Sequence, residues 1–112
     1  MKKIYIVIII AVAIAAVGFI GISQGNNAVK EFTLDASRYE YSPDTITVNK
    51  GDLVKIRINN IDTAHGIRIP EFDVRGETDV EFVANKIGWF EFYCAVYCGD
   101  GHKEMKGRLI VK

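Results

Sequence analysis

From residue 31 onward apolar and polar residues alternate with a period of two rather than 3.6. In DLVKIRINN (52–60), Val54, Ile56 and Ile58 alternate with Lys55, Arg57 and Asn59, as in a strand with one wet face. TDVEFVA (78–84) sets Val80, Phe82 and Ala84 against Asp79 and Glu81. GWFEFYC (88–94) sets Phe90, Phe92 and Cys94 against Trp89, Glu91 and Tyr93, and GRLIVK (107–112) sets Leu109 and Val111 against Arg108 and Ile110. EFTLDA (31–36) and TITVN (45–49) are shorter strand candidates. Turn signals separate them at Ser42-Pro43-Asp44, Asn49-Lys50-Gly51-Asp52, Arg75-Gly76-Glu77 and Ile87-Gly88. Six or seven short strands at this spacing predict an all-β sandwich or barrel, and no segment beyond residue 22 carries a helical stripe.

The N-terminus follows a different rule. IYIVIIIAVAIAAVGFIGI, residues 4–22, carries no charge. About 20 apolar residues at 1.5 Å of rise span a hydrocarbon core, so this stretch is just long enough to cross a bilayer as one helix. A cleaved signal peptide has a shorter apolar region, about 7–15 residues, and ends in a small-residue cleavage site that is not evident here. The expectation is a retained anchor over residues 1–22. Lys2 and Lys3 precede the run, which places the N-terminus in the cytoplasm and the remainder outside the membrane. Residues 23–30, SQGNNAVK, read as a short flexible linker, and residues 31–112 as the folded domain.

Charge narrows the partners. The chain holds 14 basic and 14 acidic residues; Lys2 and Lys3 lie before the apolar run, so the part beyond it is near −2. With no basic patch interleaved with aromatics, nucleic acid is not an expected partner. About eighty residues can fold alone, but such a core is marginal and often gains from a metal or a crosslink.

CAVYCGDGHKEM (94–105) holds both cysteines, one of the two histidines and one of the two methionines. Cys98, His102 and Met105 follow Cys94 at spacings of four, four and three, and Gly99 and Gly101 allow the backbone to curl tightly. Two cysteines outside the cytoplasm commonly form a disulfide. A Cys94–Cys98 bond would close a very small loop, where crosslinking stabilises least, and would leave His102 and Met105 unexplained. Zinc takes cysteine and histidine, but thioether sulfur suits copper better. A Cys98–His102 nucleophile pair lacks a second base and an oxyanion feature. The remaining histidine, His65, sits in NNIDTAHGIRIP just past the strand at 53–60, in a loop that a sandwich brings beside residues 94–105.

The pattern C-x-x-x-C-x-x-x-H-x-x-M with an upstream histidine resembles the dinuclear copper A centre of cytochrome c oxidase subunit II and of nitrous oxide reductase. The positions are Cys94, Cys98, His102, Met105 and His65. The resemblance covers roughly residues 31–112 and implies a cupredoxin-like Greek-key β-sandwich; the N-terminal segment is similar to the short, single-anchor form of subunit II. It further implies two copper ions bridged by Cys94 and Cys98. His65 and Met105 would complete one copper, and His102 and the backbone carbonyl of Val96 the other.

The implied function is electron transfer, with a cytochrome c or small copper protein as donor and a haem–copper oxidase catalytic subunit as acceptor. The chain would be an electron-transfer subunit of the cell membrane rather than a complete enzyme. An anchored copper carrier, or a copper A donor to another reductase, is the alternative. Many oxidase subunits carry glutamate where this chain has Val96, which removes the side chain expected to help hold an interface magnesium ion. The ending H-x-E-M-x-G-R (102–108) is similar to the reductase version, but no part of this chain resembles that enzyme's propeller domain. The tryptophan-rich stretch frequent in subunit II is replaced by SRYEYSPDTITV, with Tyr39 and Tyr41.

Overall fold

In a computed structural model of the chain, the structure describes residues 28–112. They form two packed sheets. β1 (Val29–Ser37), β2 (Glu40–Ser42), β4 (Leu53–Asn60) and β7 (Asp79–Val83) make a four-stranded sheet in the order β2-β1-β4-β7. The second sheet, in the order β3-β9-β8-β5-β6, contains β3 (Thr45–Val48), β5 (Ile67–Ile69), β6 (Val74–Gly76), β8 (Gly88–Tyr93) and β9 (Lys106–Val111). Two strand pairs are parallel, β1 with β4 and β3 with β9. Among the described residues the helical elements are two 3-10 turns, Pro70–Phe72 and His102–Glu104.

The alternation in sequence decides which side chains face inward. Leu34 and Ala36 from β1, Val54, Ile56 and Ile58 from β4, and Val80 and Phe82 from β7 are buried on one inner face. Phe92, Leu109 and Val111 oppose them from β8 and β9, with Ile67 and Ile69 from β5. Phe92 meets Tyr41 edge-on at a centroid distance of 5.1 Å, and Phe72 packs against Phe82 and Phe90 at 4.9 and 5.2 Å. Such aromatic pairs contribute about 0.5–1.5 kcal/mol each beyond the area they bury. Gly107 lies opposite Phe92, where an added Cβ would stand 2.2 Å from the ring, so the glycine makes room for the aromatic.

The structure departs from the sequence expectation at three places. β1 starts at Val29, inside the expected linker, because Asp52 ties the chain down there. Arg75 and Gly76, expected as a turn, belong to β6; with β5 it forms a hairpin too short to show alternation. β2 is likewise only three residues long. The expected membrane helix over residues 4–22 lies outside the described residues, among which no helix is long and apolar enough to cross a membrane.

The sandwich has two unlike poles. At one, β1 and β4 end together, with Ala36 opposite Asn60, and the loops carrying His65 and the cysteines lie just beyond. At the other, Leu53 N–H donates to Ala28 O at 2.9 Å, Gly51 N–H to Ala84 O at 2.8 Å and Lys50 N–H to Lys112 O at 2.9 Å. The buried Asp52 carboxylate organises this second pole. It accepts from the Ala28 and Asn49 N–H groups at 3.2 and 2.8 Å and from Lys30 Nζ at 2.9 Å.

The Lys30 ammonium and these backbone donors hold the Asp52 carboxyl below its ordinary pKa. A carboxylate whose pKa is lowered by folding stabilises the fold above its unfolded pKa, and that contribution is lost as pH falls through the folded value. Asp52→Asn should therefore lower the thermal midpoint at neutral pH and flatten the loss of stability on acidification. Thermal melts of wild type and variant from pH 7 to pH 3 would show this; parallel pH curves would contradict it.

Candidate metal centre

The centre is assembled from two loops at the first pole. β4 delivers the chain into residues 61–66, and the strand then resumes at Ile67. Gly66 makes this turn possible: its φ is +67°, and a Cβ there would stand 2.4 Å from Gly76 O. Tyr41 Oη donates to Gly66 O at 2.7 Å, fixing the turn from the core side. Burial pushes the Tyr41 hydroxyl far above its usual pKa, so it remains a proton donor. β8 ends at Tyr93 and hands over to residues 94–105, and Met105 leads directly into β9.

A backbone clamp joins the loops. The His65 carbonyl accepts both the Ala95 and the Val96 N–H, each at 2.9 Å. Cys94 N–H reaches Met105 O at 3.2 Å, closing the cysteine loop on itself. The Arg75 guanidinium donates to Ala95 O from β6. Arg38, in the β1–β2 hairpin, donates through Nε to Cys98 O at 2.9 Å, while its N–H reaches Asp62 Oδ2 at 2.9 Å. One hairpin thus holds both loops.

Five of the six sequence-predicted site residues present side-chain donors to a common space. Cys94 Sγ and Cys98 Sγ lie 3.3 Å apart. Both are free thiols, since a disulfide has sulfurs about 2.05 Å apart. His65 Nδ1 is 3.8 Å from Cys94 Sγ, His102 Nδ1 is 3.7 Å from Cys98 Sγ, and Met105 Sδ is 4.0 Å from Cys98 Sγ. The sixth, Val96, contributes its carbonyl oxygen 3.0 Å from Cys94 Sγ. The donor atoms of His65, Cys94 and Cys98 all lie within 4.8 Å of one another. His65, Cys94, Cys98 and Met105 are buried, whereas His102 is half-exposed beneath the Tyr97 ring, centroids 5.5 Å apart.

The donor set fits a soft metal. Two sulfurs this close can both touch one ion at thiolate–metal distances of about 2.3 Å, and thiolate, thioether and imidazole together suit copper. Each imidazole sits on a different cysteine, His65 on Cys94 and His102 on Cys98. Burial, followed by the hydrogen bond to Cys98, pushes the Cys94 thiol up to about 12. The thiolate form therefore needs a cation to hold it.

Asp62 completes the His65 side. Its Oδ1 lies 2.5 Å from His65 Nε2, which fixes the ring and leaves Nδ1 facing the sulfurs. The His65 hydrogen bond and the Arg38 N–H hold the Asp62 carboxyl down at about 2. A carboxylate behind a ligating histidine orients the ring and raises its basicity.

Sequence reasoning missed Asp62, Arg38, Arg75 and Tyr39. Asp62 had a signal, standing three residues before His65; Arg38 and Tyr39 come from the β1–β2 turn and Arg75 from β6, all distant from the cysteine loop in sequence. Tyr39 explains the glycines of the cysteine loop: a Cβ at Gly99 would stand 2.4 Å from its hydroxyl, and one at Gly101 2.5 Å from its ring. Gly99 also needs its positive φ of 137°. Gly101, at φ −89°, is required by the aromatic ring rather than by the turn.

These features define a cupredoxin-like domain, and the chain belongs to that family, whose match runs over residues 6–111. It is homologous to nitrous-oxide reductases and to cytochrome c oxidase subunit 2. Over 82 residues it is 34% identical to the nitrous-oxide reductase of Ralstonia nicotianae, covering 64% of this chain and 13% of that protein. Over 97 residues it is 27% identical to cytochrome c oxidase subunit 2 of Thermus thermophilus, covering 81% of this chain and 71% of that one. The chain therefore spans only a small part of its reductase relatives. Its fold is shared with the periplasmic domain of subunit II of the cytochrome oxidase of Bradyrhizobium japonicum, with a TM-score of 0.65 at 16% identity over 74% of this chain and 83% of that one.

Gly66→Ala should cost about 1–3 kcal/mol of backbone strain and pull His65 away from Cys94. Chemical denaturation and copper titration would both register the change; unaltered stability with full copper binding would contradict the role given to this turn.

Proposed function

We propose that the chain is a membrane-anchored electron-transfer protein holding a dinuclear copper A centre, working as a subunit II-like component of a haem–copper oxidase. The observation that carries this reading is the paired arrangement of one imidazole on each of two adjacent thiols. His65 stands on Cys94 at 3.8 Å and His102 on Cys98 at 3.7 Å, with the sulfurs 3.3 Å apart between them. Two coppers bridged by these thiolates would share one unpaired electron and exchange it with little change in geometry.

The chain's own residues supply rigidity and dryness. The His65 carbonyl clamp, the Asp62 bond to the His65 ring and the Arg38 bond to Cys98 O hold the donors before any metal arrives. Phe92, Ile67 and Leu109 lie beneath the loops with no exposure, which keeps water from the sulfurs on that side. A preset ligand geometry in a dry shell leaves little to reorganise when the charge of the site changes. Half-exposed His102, under Tyr97, is the donor nearest solvent and the natural side for electron exchange with a cytochrome c or a small copper protein. Similarity to cytochrome c oxidase subunit 2 supports a haem–copper catalytic subunit as the acceptor. The uncharged run at residues 4–22 and the lysines before it support a single-pass location, with the domain on the extracytoplasmic side.

Electron paramagnetic resonance of the oxidised, copper-loaded protein should show a seven-line hyperfine pattern from a shared electron. A four-line mononuclear signal, or a Cu(I) protein that cannot be reversibly oxidised, would replace this reading with a copper carrier.

Cys98→Ser should abolish the seven-line pattern and the purple absorption of a shared-electron centre; persistence of either would remove the bridging role. Met105→Leu should keep two coppers and shift the reduction potential, because a thioether is a weak axial ligand. Loss of all copper in that variant would contradict the assigned role of Met105.

A further inference from the structure

The five-stranded sheet turns a separate chemistry toward solvent. Cross-strand partners share a face, so the register gives its outer side row by row. Arg75, Arg68, Tyr93 and Lys106 form one row across β6, β5, β8 and β9. Glu91 with Arg108 forms the next, and Trp89 with Ile110 the third. The four cations are exposed and come from two distant stretches of sequence, which only the strand order gathers. The other sheet is its opposite. There Lys55 stands between Glu31 and Glu81, Arg57 stands opposite Asp79, and Asp35 lies beyond. A chain whose net charge past residue 22 is near −2 thus carries a cationic excess on one face.

Three of these cations are held in place without a carboxylate. Glu91, the one acid of these rows, accepts from Tyr93 Oη at 2.9 Å and lies 3.9 Å from Lys106 Nζ. Among the described residues no carboxylate pairs with Arg68, Arg75 or Arg108. Arg68 and Arg75 stand directly opposite each other, where like charges repel, and an arriving carboxylate would relieve that repulsion. Arg68 lies over the Tyr93 ring at 4.6 Å and Arg108 over the Trp89 ring at 4.9 Å. A guanidinium held against a ring keeps in-plane N–H donors for a carboxylate and loses less freedom on binding it.

The first row borders the cysteine loop. Tyr93 precedes Cys94, Lys106 follows Met105, and the Arg75 guanidinium donates to Ala95 O. A partner seated on this row lies beside the loop that carries half-exposed His102, and the end of the sandwich stays open for the oxidase acceptor. The face is small. Five strands about 4.8 Å apart and six residues of about 3.3 Å each give at most roughly 400 Å². Doubled for two partners, this stays below about 1,200 Å², the range of transient redox encounters rather than of permanent subunits. Glu91 in the middle interrupts the positive track that a nucleic acid backbone needs.

We propose that this face docks an acidic redox protein, the electron donor, through Arg68, Arg75, Lys106 and Arg108. The proposal rests on the copper A reading given above and adds the chemistry of the donor to it. One electron leaves the reduced donor, which is oxidised, and reduces the oxidised copper pair; no bond forms or breaks.

The test uses one haem protein with two surfaces: cytochrome c, which is basic, and the same protein with its lysines succinylated, which is acidic. Each, reduced, is mixed in stopped flow with the copper-loaded full chain in detergent. Binding is measured separately with the zinc-substituted succinylated protein, which donates no electron in the dark. The acidic form should react about tenfold or more faster at low salt, and its rate and affinity should fall as salt rises. Arg68→Glu with Arg108→Glu should remove that advantage and reverse the salt dependence, with the thermal midpoint and the seven-line signal retained. Arg68→Gln with Arg108→Gln, milder for the fold, should give an intermediate loss. A faster reaction with basic cytochrome c, slowed by salt, would move the donor to the other sheet and overturn the proposal. Rates indifferent to salt and to both double variants would overturn it too. Tighter binding of single-stranded DNA than of the acidic protein at equal salt would show a nucleic acid partner instead. Self-association that disappears in the double variants, seen by sedimentation, would show a second copy covering the face. A mononuclear copper signal beside salt-sensitive, Arg68-dependent binding of the zinc form would end the copper A reading and leave the surface standing.

Discussion

The His65 carbonyl is the point on which the site depends. It accepts two successive N–H groups of the cysteine loop, so a loop that follows β4 and a loop that follows β8 share one backbone anchor. Nothing in either loop alone would fix the spacing of imidazole and thiol. The bond forms only when β5 returns from His65 beside β8, a pairing that brings Arg68 opposite Tyr93. The geometry of the centre is therefore a property of sheet closure, and the metal donors inherit the precision of the strands beneath them.

Around that anchor the supporting contacts arrive from every side. Tyr41 steadies the Gly66 turn from the core, Asp62 steers the His65 ring, and Arg38 and Arg75 hold the cysteine-loop carbonyls from opposite flanks. Each engages a backbone carbonyl or a single ring nitrogen and leaves the sulfurs free. This division lets the donors be stiff without being occupied.

Much of this was legible in the sequence. The two-residue alternation identified the long strands and their inner faces, because every one of them has one face in the core and the other in water. The convergence of the candidate ligands was legible because Cys94, Cys98, His102 and Met105 stand at spacings of four, four and three, and the structure brings them together with His65 from a separate loop. β2, β5 and β6 were not, since three residues cannot display a period. The supports of the site were hidden for another reason. Arg38, Tyr39 and Arg75 are ordinary surface residues in sequence, and their role arises from a hairpin and an edge strand folding over loops far along the chain. Gly101 shows the same gap: a flexible turn was the natural reading, and the cause is the flat face of Tyr39.

β1 spans the whole domain, from Ala28 at one pole to the Arg38 hairpin that holds the metal loops at the other. Its pairing with β4 is parallel and in register over eight positions, Val29 with Leu53 through Ala36 with Asn60. A pull on the chain before Ala28, resisted by a partner gripping the metal loops, acts along these strands and not across them. Such a load shears all the rungs at once instead of peeling them one after another. Force applied between the two ends of β1 therefore meets the sheet in its stiffest direction.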